Sequence, residues 1–162
     1  MIGRARDALK ISAHCKGRIF MLRQNIVFVD NRVGSLNRVT TILKEKGISI
    51  YGFACFDSPE FAVFRMVCAD PDLADSVMAE KGYMCRITPV IAIDMKDEKG
   101  SLDSLLYVLK ESNVNLNYIY TSFHRSTMIP VVILYSEDLG VTESILRNNG
   151  FKALESLEEL EI

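Results

Sequence analysis

Apolar positions along this chain follow two alternating rhythms. Ile26-Val27-Phe28-Val29 is a strand-sized apolar run, and Leu36, Val39, Ile42 and Leu43 follow it at helical spacing. The same switch returns at Val90-Ile91-Ala92-Ile93, followed by Leu102, Leu105, Val108 and Leu109. Each switch turns on a Gly-Ser-Leu triplet, and its glycines, Gly34 and Gly100, lie 66 residues apart. A fixed period of this kind marks a repeated structural unit.

The pattern predicts a strand over 23–30 and a helix over 34–46, stopped by Gly47. Strands over 48–57 and 61–69 follow, joined by the tight connection Asp57-Ser58-Pro59-Glu60. Asp70-Pro71 opens a second helix, because aspartate accepts orphan amides and proline suits the first helical position. Lys81-Gly82 closes it, and 83–88 is a fourth strand. The second half repeats this order. Ile42-Leu43-Lys44-Glu45 matches Val108-Leu109-Lys110-Glu111, and Asn113 stands where Gly47 stood. After the hairpin the offset grows to 68, matching Gly82 to Gly150 and Asp70 to Asp138. A longer loop at Phe123-His124-Arg125-Ser126-Thr127 absorbs the difference.

The predicted fold is α+β: two ferredoxin-like βαββαβ units in tandem, antiparallel sheets with helices on one face. The expected divisions are a basic arm over 1–22, units over 23–88 and 89–155, and an acidic tail over 156–162, read as a short helix or frayed end. Thr88-Pro89 is too short a joint for independent units of this size. The strand over 48–57 is apolar on both parities, so its second face needs cover from the other unit or another chain.

Composition narrows the function. The chain has 162 residues and a formal net charge of −2, which gives no general attraction to nucleic acid or membrane surfaces. Its apolar runs fall short of the ~20 residues a spanning helix needs. Cys15, Cys55, Cys68 and Cys85 have no C-x-x-C spacing and read as buried thiols of a cytoplasmic protein. Arg65 is a lone charge in an apolar strand, to be paired with an acid or to hold a ligand carboxylate. His124 reads as loop decoration, and no catalytic, metal or cofactor motif is present.

The strand-to-helix loops carry the remaining chemistry. A helix N-terminus offers free amides and a partial positive charge. Glycine there lets the backbone approach a ligand. Asn31 and Asp97, three residues before the glycines, could accept an ammonium group. Together they suit the zwitterionic end of a free amino acid; the alternative is an ordinary helix cap with solvated neighbours.

Asn31-Arg32-Val33-Gly34-Ser35-Leu36 resembles the N-x-P-G-x-L loop of the tandem ACT-domain proteins, and Leu43 to Ile50 resembles their L-x-x-x-G-I-N-I helix end. The resemblance covers roughly residues 23–155. Val33 and Lys99 stand where that family often has proline, and Ser49 replaces an asparagine that Asn115 keeps. The resemblance implies a non-catalytic regulatory protein that binds an amino acid or similar small metabolite at an ACT–ACT interface. It implies a homodimer without cofactor, metal, nucleic-acid or membrane partner. The implied ligand residues are Asn31, Val33, Gly34, Ser35, Leu36 and Ser49 in the first unit, and Asp97, Lys99, Gly100, Ser101, Leu102 and Asn115 in the second. A ligand-free assembly subunit of an amino-acid metabolic enzyme is the alternative.

Overall fold

The computed structural model describes residues 21–58 and 60–161. The expected basic arm lies largely outside them. The first unit contains β1 (Leu22–Asp30), α1 (Ser35–Glu45), β2 (Ile50–Asp57), β3 (Phe61–Cys68) and α2 (Pro71–Glu80), and it ends in β4 (Met84–Asp94). The second adds α3 (Ser101–Glu111), β5 (Leu116–Phe123), β6 (Pro130–Ser136), α4 (Leu139–Asn148) and a short β7 (Lys152–Ala153). A 3₁₀ turn over Leu157–Glu161 follows.

The strands run in the order β2-β3-β1-β4-β6-β5, with β7 also on β4. All pairings are antiparallel. Where the pattern suggests two strands around Thr88-Pro89, the chain makes one. Residues 84–90 of β4 pair with β1, and residues 91–94 pair with β6. Pro89 offers no amide to a ladder, and the partner changes one residue later, after Val90. The units therefore share a strand. Leu22, expected in the arm, is the first residue of β1 and is buried.

Each unit has its own core between helices and sheet. Val27, Val39, Leu43, Phe64 and Met78 fill the first, and Ile91, Ile93, Leu105, Leu109 and Leu146 the second. A third core lies between the two sheets. Leu22, Val67, Val90, Ala92, Val131, Ile133, Leu154 and Leu160 form it, edged by Tyr51, Tyr118, Tyr120 and Tyr135. This interface explains why β2 is apolar on both parities. The C-terminal turn is docked rather than frayed: Leu160 is fully buried in the third core, and its carbonyl accepts from the Arg125 amide at 3.0 Å.

Strands β2 and β5 meet most closely at Gly52. A β-carbon there would lie 2.7 Å from Ser122 Oγ and 2.8 Å from Ser122 Cβ. Ser122 Oγ donates to the Tyr51 carbonyl at 2.6 Å, so it is held in place. Gly52→Ala should cost about 1–3 kcal/mol through overpacking, lowering Tm by several degrees. Ser122→Gly in the same chain should recover part of that loss. Thermal unfolding of the three proteins checks it, and an undiminished Tm for Gly52→Ala would contradict the close approach.

Candidate functional site

Four helices begin in two different ways. At α2 and α4 an aspartate closes the helix: Asp70 accepts from the Leu73 amide at 2.9 Å, and Asp138 from the Val141 amide at 3.0 Å. At α1 and α3 the N-cap is a glycine in the left-handed region, Gly34 at φ 83° and Gly100 at φ 90°, with no side-chain cap. The backbone bonds that open these helices are Arg38 N–H to Gly34 and Ser104 N–H to Gly100. The amides of Leu36 and Asn37, and of Leu102 and Asp103, find no acceptor among the described residues. Two helix N-termini are thus left with donors and partial positive charge unspent.

Each opens onto its own cleft. The second unit's cleft is about 830 Å³, bounded by the loop from Asp94 to Ser101, by Asp103 and Ser104 on α3, by Ile129-Pro130, and by Phe151-Lys152. Its rim carries carboxylates (Asp94, Asp97, Glu98, Asp103) and ammonium groups (Lys96, Lys99, Lys152). The first unit's cleft is about 340 Å³, between the Asp30–Asn37 segment and Cys55, Asp57 and Ala62.

Of the residues the sequence singles out, Asn31, Gly34, Ser35 and Leu36 line the first cleft, and Asp97, Lys99, Gly100 and Ser101 the second. Ser35 is buried, its hydroxyl accepting from Arg38 Nη2 at 2.9 Å, and Asn31 Nδ2 donates to the Ser58 carbonyl at 3.3 Å. Val33 is 103% exposed and lines neither cleft, and Leu102 is half exposed outside the second. Ser49 and Asn115 precede β2 and β5, whose far ends approach the loops. At ~3.3 Å per residue Ser49 stands about 20 Å along the strand from Cys55 on the rim of its own cleft. Each cleft is lined by its own unit, so the contact between units within one chain does not fall at either loop.

Three residues behave otherwise than the sequence suggests. His124 is no loop decoration: it is buried, with Nδ1 donating to the Glu159 carbonyl at 2.7 Å and Nε2 lying 2.6 Å from Asp94 Oδ1. Asp94 Oδ2 accepts from Lys152 Nζ at 3.0 Å, and Glu159 reaches the same ammonium at 3.3 Å. The hydrogen bond to Asp94 is the main reason the Lys152 ammonium is held above its usual pKa, with Glu159 adding to it. This network joins the second cleft to the C-terminal turn. Its signal in the sequence was Asp94, a carboxylate ending an apolar run. Arg65 is not paired with an acid; its guanidinium stacks 3.9 Å from the centre of the Tyr118 ring across the third core. Cys55, expected to be buried, is exposed on the rim of the first cleft.

These features define a known class. The chain belongs to the ACT domain pair family, which it matches over residues 20–159. Among solved structures it is similar to a protein of Bacteroides thetaiotaomicron, at TM-score 0.79 and 20% identity, over 88% of this chain and 98% of that one. It is also similar to the regulatory subunit of aspartate kinase from Thermus thermophilus in its ligand-free form, at TM-score 0.56 and 14% identity, over 82% and 94% of the two chains. Likeness at these identities concerns the fold. No curated protein sequence matches the chain.

Burial pushes the Cys68 and Cys85 thiols up to about 11. At pH 8 both stay protonated and unreactive, because the thiolate is the nucleophile. In a Cys15→Ser background, iodoacetamide should label Cys55 first, at least tenfold faster than Cys68 or Cys85. Mass spectrometry of timed samples checks this; equal rates in the folded protein would contradict the burial.

Proposed function

We propose that this protein is a non-catalytic regulatory protein that binds a free amino acid or similar small metabolite at its glycine-capped helix N-termini. The observation that carries the reading is the contrast between helices: α2 and α4 are closed by aspartates, whereas α1 and α3 present free amides to open clefts. Membership of the ACT domain pair family supports it, as does likeness to a regulatory subunit of aspartate kinase. In the larger cleft, the α3 N-terminus with the amide of Asp103 would receive the α-carboxylate. Asp97 would accept the ammonium group, a charge-assisted bond worth about 1.5–3 kcal/mol. Ser101 and Lys99 sit beside them. The protein acts in the cytoplasm as a homodimer. Its output is a shift between arrangements of the units, limited by the ligand's differential affinity for them.

A thermal-shift screen against the twenty amino acids tests the reading. A ligand at 100 times its Kd adds about 2.7 kcal/mol, a rise of several degrees for a chain of this size. Asp97→Ala should weaken the effective ligand about tenfold or more while leaving the unliganded Tm within about a degree. Protection of Cys55 from iodoacetamide would report occupancy of the smaller cleft. No shift with any amino acid at millimolar concentration would overturn the reading and favour a ligand-free assembly subunit.

A further inference from the structure

Residues 155–161 touch the larger cleft at one end and the first unit at the other. Glu159 makes the contacts at the cleft. Its carboxylate accepts from the Glu155 amide at 2.5 Å and reaches Lys152 Nζ at 3.3 Å. Its carbonyl accepts from His124 Nδ1 at 2.7 Å. Lys152 and His124 both hold Asp94, so Asp94, His124, Glu159 and Lys152 close a ring of polar contacts. Two members of the ring, Asp94 and Lys152, are paired in register across β4 and β7, and both line the larger cleft.

The other end of the turn grips the first unit. Leu160 is buried in the third core, and its carbonyl accepts from the Arg125 amide at 3.0 Å. The Glu161 carboxylate accepts from the Tyr51 hydroxyl. The Arg125 guanidinium lies 4.5 Å from the centre of the Tyr51 ring, and its Nη2 donates to the Ile50 carbonyl at 3.3 Å. Ile50 and Tyr51 begin β2. One short segment thus joins the rim of a cleft in one unit to a strand of the other. Contacts that share partners in a network strengthen one another and are lost together.

We propose that residues 155–161 are a strap with two positions. Docked, it fixes Asp94 and Lys152 at the rim of the larger cleft and clasps Tyr51 of the first unit. Released, it frees both. A ligand that meets the fixed rim favours the docked position, and by linkage the docked strap favours the ligand. The strap is a two-state element that both places bias, and through it occupancy of the larger cleft acts on the contact between units. This regulation rests on the proposed amino-acid binding; the strap's hold on the rim does not.

Hydrogen exchange at single amides of the full chain, followed by NMR, tests it. The Arg125 amide, bonded to Leu160, reports the docked strap. The His124 amide, bonded to Ile129 within the hairpin, and the Leu154 amide, bonded to Ala92, report the structure beneath it. Asp94→Asn weakens both arms of the ring and should speed exchange at Arg125 about tenfold or more. Lys152→Met removes the more exposed arm and should speed it about threefold. His124 and Leu154 should keep their rates in both variants. Lys96→Met, on the same rim but in no ion pair among the described residues, should change none of the three. An unchanged Arg125 rate in both ring variants, or equal acceleration of all three amides, would overturn the strap. A mixture of the twenty amino acids at millimolar concentration should slow Arg125 exchange in the wild type and not in Asp97→Ala. A rise in Tm that Asp97→Ala abolishes, with Arg125 exchange unchanged, would overturn the proposal and leave amino-acid binding standing. No rise in Tm would overturn amino-acid binding, and the two ring variants would then decide the strap.

Discussion

Strand β4 belongs to both units, and the rest of the architecture depends on that. Its first half is the edge of one sheet, and its second half is central in the other. A single strand cannot reverse its side-chain parity at a joint, so Val90 and Ala92 point to the same inner side. Both sheets inherit that side. Helices occupy the outer faces, and the inner faces have only each other to exclude water. The third core is the consequence. Gly52 is the price of closeness, since the sheets meet there with no room for a methyl group.

With the faces committed, the strand ends are what remain for chemistry. Helices α2 and α4 serve packing, and aspartates satisfy their first amides within the chain. Helices α1 and α3 start from glycines whose positive φ swings the preceding loop away, leaving amides that no side chain of the unit reaches. The open ends stand on the central strand of each sheet, the most rigidly held element available. A ligand there would touch a loop fixed at both ends by buried structure.

Much of this was legible from residue spacing. Two Gly-Ser-Leu switches at one period define the repeat, and the apolar parity of β2 announces a second buried face. The capped and uncapped helix starts are also visible, as Asp70-Pro71 against Gly34-Ser35. What was not legible depends on which distant residues meet. Nothing near His124 in the chain names Asp94 or Glu159 as its partners. Arg65 found an aromatic face instead of an acid because tyrosines of the other unit line the inner side around it. Ser49 and Asn115 resemble ligand residues by motif, yet a strand of eight residues carries them away from their own loops. Motif position is read along the chain, whereas a cleft is assembled across it.

The two repeats also answer the same constraint differently, and the difference bears on what each is for. Phe28 and Asp94 occupy equivalent places, 66 residues apart, near the far end of the inner face. In the second unit the carboxylate of Asp94 holds His124 and Lys152, and these anchor the C-terminal turn, whose Leu157 and Leu160 join the third core. That end is closed by the chain's own continuation. In the first unit Phe28 meets Phe61, with ring centres 5.9 Å apart, and Phe61 stays 41% exposed. An aromatic side chain gains from burial at about 25 cal/mol per Å² of apolar surface removed from water. Leaving Phe56 and Phe61 exposed forgoes part of that gain in the single chain. Divergence at one position thus separates a unit whose inner end is closed by the chain's own continuation, bearing the larger cleft, from one whose inner end stays open.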